Sequence, residues 1–311
     1  MENLKTLFPN KTIFFTAVLM LFLLLSTGGF SQDKYNYKIP QKLNDGWEVS
    51  SLEAEGLDSE IINEVTGQIL NEQYKGIYSY LIVKNGKLVH EVYFKDRSRS
   101  TLFDIMSITK SVSSTLIGIA IDKGLIKSVN ESVLSLLPQY ADEIADPKKQ
   151  KIKLKHILTI STGLEWYEKH YSYSDPRNSE TQMVRENDWM KFVLSRPVQY
   201  EPGTVYNYNT GSVHLLSAII RNASSLYAGK FAEKYLFGPL GIKEYDWNKD
   251  KMGYQCTGAT HGGIKIKSRD LAKFGQMILQ NGKWKGNQIV SEKWVKEATK
   301  TQIEIKNNIN N

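Results

Sequence analysis

The chain has 311 residues, 41% of them hydrophobic and 23% charged, with a formal net charge of +7. That composition is enough to bury a full core in one large or two modest domains, and it excludes a disordered chain. The positive charges are scattered, and runs such as Lys148-Lys149-Gln150-Lys151 read as solvated faces. With no zinc-type Cys/His spacing and no glycine-rich phosphate loop, the sequence points to no nucleic-acid partner, no metal and no cofactor.

The N-terminus sets the expected compartment. Lys5 and Lys11 precede an apolar run from Ile13 to Leu25, and the small residues Ser26-Thr27-Gly28-Gly29 follow. This is the pattern of a secretory signal peptide over residues 1–31, with a periplasmic or secreted mature protein and no stable membrane insertion after cleavage. The alternative is an uncleaved membrane anchor, but the apolar run is short for a span, which needs ~20 residues. The lone Cys256 has no intrachain disulfide partner and is expected to be buried and inert.

Residues 32–50 are polar and aromatic and read as an N-terminal tail. Leu57, Ile61, Ile62, Val65 and Ile69 then recur at helical spacing after an Asp58 or Ser59 cap. Tyr78–Val83 and Leu88–Phe94 read as strands joined by the hairpin signal Asn85-Gly86. The segment Val112–Ile121 is apolar on every side, so a helix there lies in the middle of the molecule, with Gly124 at its end. Residues 130–250 show helical and loop patterns without strand alternation, including Leu134–Leu137, Leu154–Ile160, Asp188–Leu194, Val213–Ile220 and Phe231–Phe237. A short strand at Ile264–Lys267, a helix at Ser268–Leu279 capped by Ser268, and another at Ser291–Thr299 complete the reading. The domain expected over 51–311 thus has an α/β part, 51–129 and 251–311, around an all-helical insertion, 130–250.

At the head of the central helix stands Ser107-Ile108-Thr109-Lys110. Helix positions three apart share a face, which puts a lysine ammonium beside the Ser107 hydroxyl. A serine is a poor nucleophile until a neighbour accepts its proton, and desolvation disfavours the charged form of a lysine. Lysine is rarely buried without a reason, so Lys110 beside an apolar helix is unusual. The same tetrapeptide pattern recurs at Ser31-Gln32-Asp33-Lys34, and Ser107 is equally placed to be an ordinary N-cap. The second signal is Pro202-Gly203-Thr204-Val205-Tyr206-Asn207-Tyr208-Asn209-Thr210-Gly211. A tyrosine held after a tight turn serves as a base or proton relay if cations flank it, and as a packing aromatic otherwise.

These blocks resemble the serine hydrolases related to class C β-lactamases and D,D-peptidases. The resemblance rests on Leu81–Val89, Met106–Ser111, Ile117–Gly124, Ile157–Leu164, the Pro202 block and Gly262–Phe274, in that order, over roughly residues 50–300. The Glu165-Trp166-Tyr167-Glu168 stretch and the tyrosine block look most like the branch with 6-aminohexanoate-dimer hydrolase and related esterases. The resemblance implies an α+β fold, with an antiparallel sheet flanked by helices plus the helical insertion. It implies Ser107 as nucleophile, Lys110 as proton acceptor and Tyr208 as the catalytic tyrosine, with Tyr206 as the alternative. Thr210 stands where β-lactamases carry asparagine, and the loop from Trp166 to Arg177 is where acyl-side specificity is expected. Thr210 and Trp166 are therefore the expected substrate-binding residues. The implied substrate is a small or peptide-like ester or amide, split through an acyl-enzyme.

The family also has a third box on a strand that supplies half the oxyanion hole. Lys251-Met252-Gly253 and His261-Gly262-Gly263 have the letters, but both precede the Ser268–Phe274 block that the box should follow. The expectation is therefore a chain that stops before the closing strands and is poorly active alone. The alternative function is a non-catalytic module that binds cell-wall fragments.

Overall fold

A computed structural model describes residues 35–305 except 143, 145 and 261. The expected signal peptide and His261 lie outside the described residues. The strands are β1 (Glu48–Val49), β2 (Ser79–Lys84), β3 (Lys87–Tyr93), β4 (Phe103–Asp104), β5 (Tyr245–Trp247), β6 (Ile264–Ile266), β7 (Lys283–Trp284) and β8 (Asn287–Gln288). The helices are α1 (Ser59–Leu70), α2 (Ile108–Asp122), α3 (Val133–Leu136), α4 (Pro138–Ala141), α5 (Pro147–Gln150) and α6 (Leu154–Leu158). They continue as α7 (Ser179–Met183), α8 (Trp189–Ser195), α9 (Thr210–Ser224), α10 (Ala228–Ala232), α11 (Ser268–Leu279) and α12 (Glu292–Thr299), with a π-helical turn at Glu233–Phe237.

Among the described residues there are two three-stranded sheets and a third, two-stranded one, the antiparallel pair β7–β8. In the first, β3 lies between β1, parallel, and β2, antiparallel. Asn85 and Gly86 both take positive φ, 52° and 77°, as a tight hairpin between right-twisted strands requires. In the second sheet β6 lies between β4 and β5, and both pairings are antiparallel. Asp58 caps α1 by accepting from the Glu60 N–H.

Helix α2 is the centre. Val112, Leu116, Ile117, Ile119 and Ala120 are all buried, against α9, α10 and α12. At Gly118 an added Cβ would stand 2.5 Å from the Trp294 ring, so only glycine lets α12 approach this closely. The architecture is α+β, as expected.

Several expectations need correction. The stretch 32–50 is no loose tail over its described part. Trp47 is fully buried, donates its indole N–H to the Arg269 carbonyl, and leads into β1. Arg269, itself buried, holds Asp45 and Glu91 together, so this segment is riveted to α11 and β3. The stretch 130–250 is not all helical, because β5 falls inside it and pairs with β6. A three-residue strand is too short to show alternation. Ser268 does not cap α11 with its side chain; its hydroxyl meets that of Ser79 on β2 at 2.9 Å. Helices α4, α5 and α7, four or five residues each, were too short to register as periodicity.

Candidate active site

The loop before α2 is built to present one residue. Asp104 accepts from the Met106 N–H at 2.8 Å and the Gly263 N–H at 3.2 Å, tying the end of β4 to the start of β6. Met106 is forced to φ 46°, a left-handed conformation that costs a non-glycine residue about 1 kcal/mol. The chain then enters α2 at Ser107, whose side chain makes no cap bond. An ordinary N-cap serine spends its hydroxyl on the helix; this one does not.

The Ser107 Oγ lies 2.7 Å from the Tyr208 hydroxyl, and the Lys110 ammonium donates to Oγ at 3.2 Å. Lys110 also donates to the Gly258 carbonyl at 2.5 Å, and its Nζ stands 5.0 Å from the Tyr208 ring centroid. Three residues from two distant segments thus converge on one oxygen. The Ser107 N–H donates to no described residue, which leaves it for an oxyanion.

Tyr208 is held by its neighbours. The Gly203 and Asn207 N–H groups bond to the Ser161 and Ile160 carbonyls at 2.7 and 3.1 Å. The Asn207 amide reaches the Trp166 carbonyl, and Asn209 caps α9 through the Ser212 N–H. Gly163 makes this crossing possible, since a Cβ there would lie 2.1 Å from the Tyr200 carbonyl oxygen. Ser107 meets Tyr208 and not the alternative, Tyr206, whose hydroxyl pKa is raised first by burial and then by the Tyr208 charge.

Beside Ser107 opens a cleft of about 260 Å³, lined among others by Glu168, Tyr173, Glu180, Thr210 and Gly262. Glu168 is 2% exposed and takes four donors: the Trp166 indole N–H, the Thr210 N–H, the Thr210 hydroxyl and the Tyr173 hydroxyl. Burial and then the Glu168 charge raise the Tyr173 hydroxyl, which keeps it a donor. Glu180 is different: burial, then the nearby Glu168 charge, push its carboxyl up to about 7.

Thr210 lines the cleft, but its hydroxyl is committed to Glu168. Trp166, expected to bind substrate, stands behind the wall. It is fully buried, packs against Phe192 and Gly211, and reaches the cleft only through Glu168. Cys256 is 1% exposed and burial pushes its thiol up to about 12. Among the described residues no group of three or more His, Cys, Asp or Glu is placed to hold a metal. Gly262, set aside on chain order, is in the cleft wall. Lys251-Met252-Gly253 is a turn, with Lys251 bonded to the Arg185 carbonyl. Sequence reasoning missed Glu168, Lys169, Tyr173 and Glu180; the only signal was a run of carboxylates and aromatics between Glu165 and Glu180.

An α+β frame with a serine, a lysine one turn on, and a tyrosine from a distant loop defines the β-lactamase and transpeptidase class of fold. Residues 64–305 match the Beta-lactamase family, and the chain belongs to it. It is 22% identical over 231 residues to 6-aminohexanoate-dimer hydrolase of Paenarthrobacter ureafaciens, covering 71% of this chain and 56% of that protein. A Bacillus anthracis structure named for the same hydrolase aligns at TM-score 0.62 and 18% identity, over 86% of this chain and 68% of that one. The penicillin-binding protein of Bacillus halodurans aligns at TM-score 0.60 and 16% identity, over 77% and 80%. The chain spans about half the length of the curated relatives it matches.

Proposed function

We propose that this protein is a serine hydrolase that cleaves an ester or amide through an acyl-enzyme on Ser107. The observation that carries the reading is the Ser107 Oγ held at 2.7 Å from the Tyr208 hydroxyl and 3.2 Å from the Lys110 ammonium. Tyr208, with Lys110 against it, takes the Ser107 proton as Oγ bonds to the acyl carbon. The same proton then goes to the leaving oxygen or nitrogen as that bond breaks. Water repeats the sequence on the acyl-enzyme, returning the proton to Ser107. The free Ser107 N–H faces the carbonyl oxygen as it gains charge.

The family match and the similarity to 6-aminohexanoate-dimer hydrolase support an ester or amide substrate. The cleft beside Ser107, about 260 Å³ in volume, fits a small or peptide-like acyl group. Secretion is part of the proposal and rests on the basic and apolar pattern of residues 1–31. No helix among the described residues is long and apolar enough to cross a membrane.

The test is covalent labelling. A fluorophosphonate adduct is expected on Ser107, absent in Ser107→Ala and slowed in Lys110→Met and Tyr208→Phe. Labelling elsewhere overturns the assignment. A penicillin or ester that acylates Ser107 once and is never released would select a binding role instead.

A further inference from the structure

A second cation covers the tyrosine. Lys169, in the loop before α7, places its Nζ 4.5 Å from the Tyr208 ring centroid, closer than Lys110 at 5.0 Å. Its place is set by Tyr173, whose hydroxyl accepts from the Lys169 ammonium at 3.3 Å and donates to Glu168 at 3.0 Å. Glu168 also grips the Thr210 N–H at 2.8 Å, two residues past Tyr208. Two consecutive residues, Glu168 and Lys169, thus bear on Tyr208, one through the start of α9 and one over the ring. No described carboxylate forms an ion pair with Lys169, so its charge is not spent elsewhere.

We propose that Lys169 is a positioning residue for proton transfer at Ser107, supplying from the helical insertion the second cation that keeps Tyr208 ready to accept a proton. This rests on the reading of Tyr208 as the group that takes the Ser107 proton. In that step the Ser107 O–H bond breaks, the Tyr208 O–H bond forms, and the ring loses its negative charge. A cation over the ring face favours the charged ring before transfer, by attraction to both the π-face and the oxygen. Lys110 cannot serve alone without cost, because it also donates to Ser107 and to the Gly258 carbonyl. Lys169 donates to neither, and its one hydrogen bond is to the Tyr173 hydroxyl. Among the described residues, the groups facing Tyr208 are Ser107 and Lys110 at the head of α2, Lys169, Glu168 and Tyr173 from the insertion, and Tyr206 beside it, with Glu180 of α7 lining the same cleft. Of these only Lys110 and Lys169 are cationic.

The experiment compares Lys169→Met and Lys169→Arg in the full 311-residue chain. Tyrosine carrying ¹³C at Cζ reports the ionisation of Tyr208, assigned by its loss in Tyr208→Phe. In Lys169→Met the Tyr208 titration is expected to move to higher pH by about half a unit, the size of an exposed cation–π contact. Fluorophosphonate labelling of Ser107 near neutral pH should slow by about threefold or more, with the acid limb displaced the same way. Lys169→Arg should restore most of both, and high salt should shrink the difference. A Tyr208 titration unmoved by Lys169→Met overturns the proposal, as does an Arg variant no better than Met. If Tyr208→Phe labels at the wild-type rate, the proton-transfer reading fails instead, and the titration still decides whether Lys169 governs the charge of the ring.

Discussion

Glu168 and Glu180 line one cleft with unequal partners. Glu168 accepts four hydrogen bonds, while among the described residues Glu180 has only the Thr260 hydroxyl turned toward it, and that hydroxyl makes no well-formed bond. The first carboxylate is built into the wall. The second is left facing the space beside Ser107.

The stability of the protein should record that difference. Burial, then the Glu168 charge, raise Glu180 to about 7 from its ordinary 4.5. The folded state therefore binds the proton more tightly than the unfolded state. Stability falls as pH rises from about 4.5 to about 7 and stays lower above it, by at most about 3 kcal/mol. Glu180→Gln removes the charge and should be more stable than wild type by about 1–3 kcal/mol near pH 8, with no gain near pH 4. Urea unfolding at the two pH values checks it, and a gain equal at both would show that charge is not the cause.

His90 on β3 should do the opposite. It is fully buried among Tyr35, Tyr37 and Tyr80, and burial lowers it to about 4 from 6.5. The Thr66 hydroxyl donates to the Ile62 carbonyl, so its oxygen accepts from His90 Nε2, and Nδ1 is left without a partner. A second ring proton would have nothing to bond. The unfolded state binds that proton more tightly, so stability is lost as pH falls from about 6.5 to about 4, by up to about 3 kcal/mol. His90→Gln should flatten this acid limb in thermal melts; an unchanged limb would place the titration elsewhere.

Gly263 tests how closely β6 must approach the loop that carries Ser107. A Cβ there would lie 2.0 Å from the Thr109 Oγ1 and 3.1 Å from the Met106 carbonyl oxygen. Thr109 Oγ1 accepts the Ile264 N–H at 3.0 Å, so the clash pries the strand from the loop that aims Ser107. Gly263→Ala should cost about 2–3 kcal/mol, and its Ser107 should label slowly even when folded. Gly275, inside α11 with nothing within 4 Å of its added Cβ, is the contrast. Gly275→Ala should stabilise by about 0.5–1 kcal/mol and leave labelling unchanged. Equal melting temperatures for the two variants would refute the packing argument.

What was legible in the sequence follows the range of the forces. Ser107 and Lys110 are one helical turn apart, and local periodicity reveals such pairs. Tyr208 was visible because its turn residues and cap residue are contiguous. Glu168, Lys169 and Glu180 were not, because their roles depend on how one loop folds against α9, and no local pattern records that. Gly262 was set aside on chain order, yet it lines the cleft, because order along the chain does not measure distance. Strands β1 and β5 are held by pairing with β3 and β6, and two or three residues carry no periodicity of their own.

Trp166 shows the same limit and yields the last test. A tryptophan in a polar loop reads as a substrate contact, but this one turns inward. It is 0% exposed and its indole N–H lies 2.8 Å from Glu168 Oε2. Gly211 is small because a Cβ there would meet the Trp166 ring at 2.5 Å. Trp166→Phe keeps most of the apolar volume but leaves Glu168 one donor short and opens a small void. The expected cost is about 2–4 kcal/mol, from a lost bond to a charged group plus the void. The kinetic signature separates the two roles. A direct substrate contact would raise KM for a p-nitrophenyl ester and leave kcat alone. A residue that acts through Glu168 loosens the start of α9 and the Tyr208 segment before it, so kcat should fall while KM changes little. A rise in KM alone would return Trp166 to the substrate.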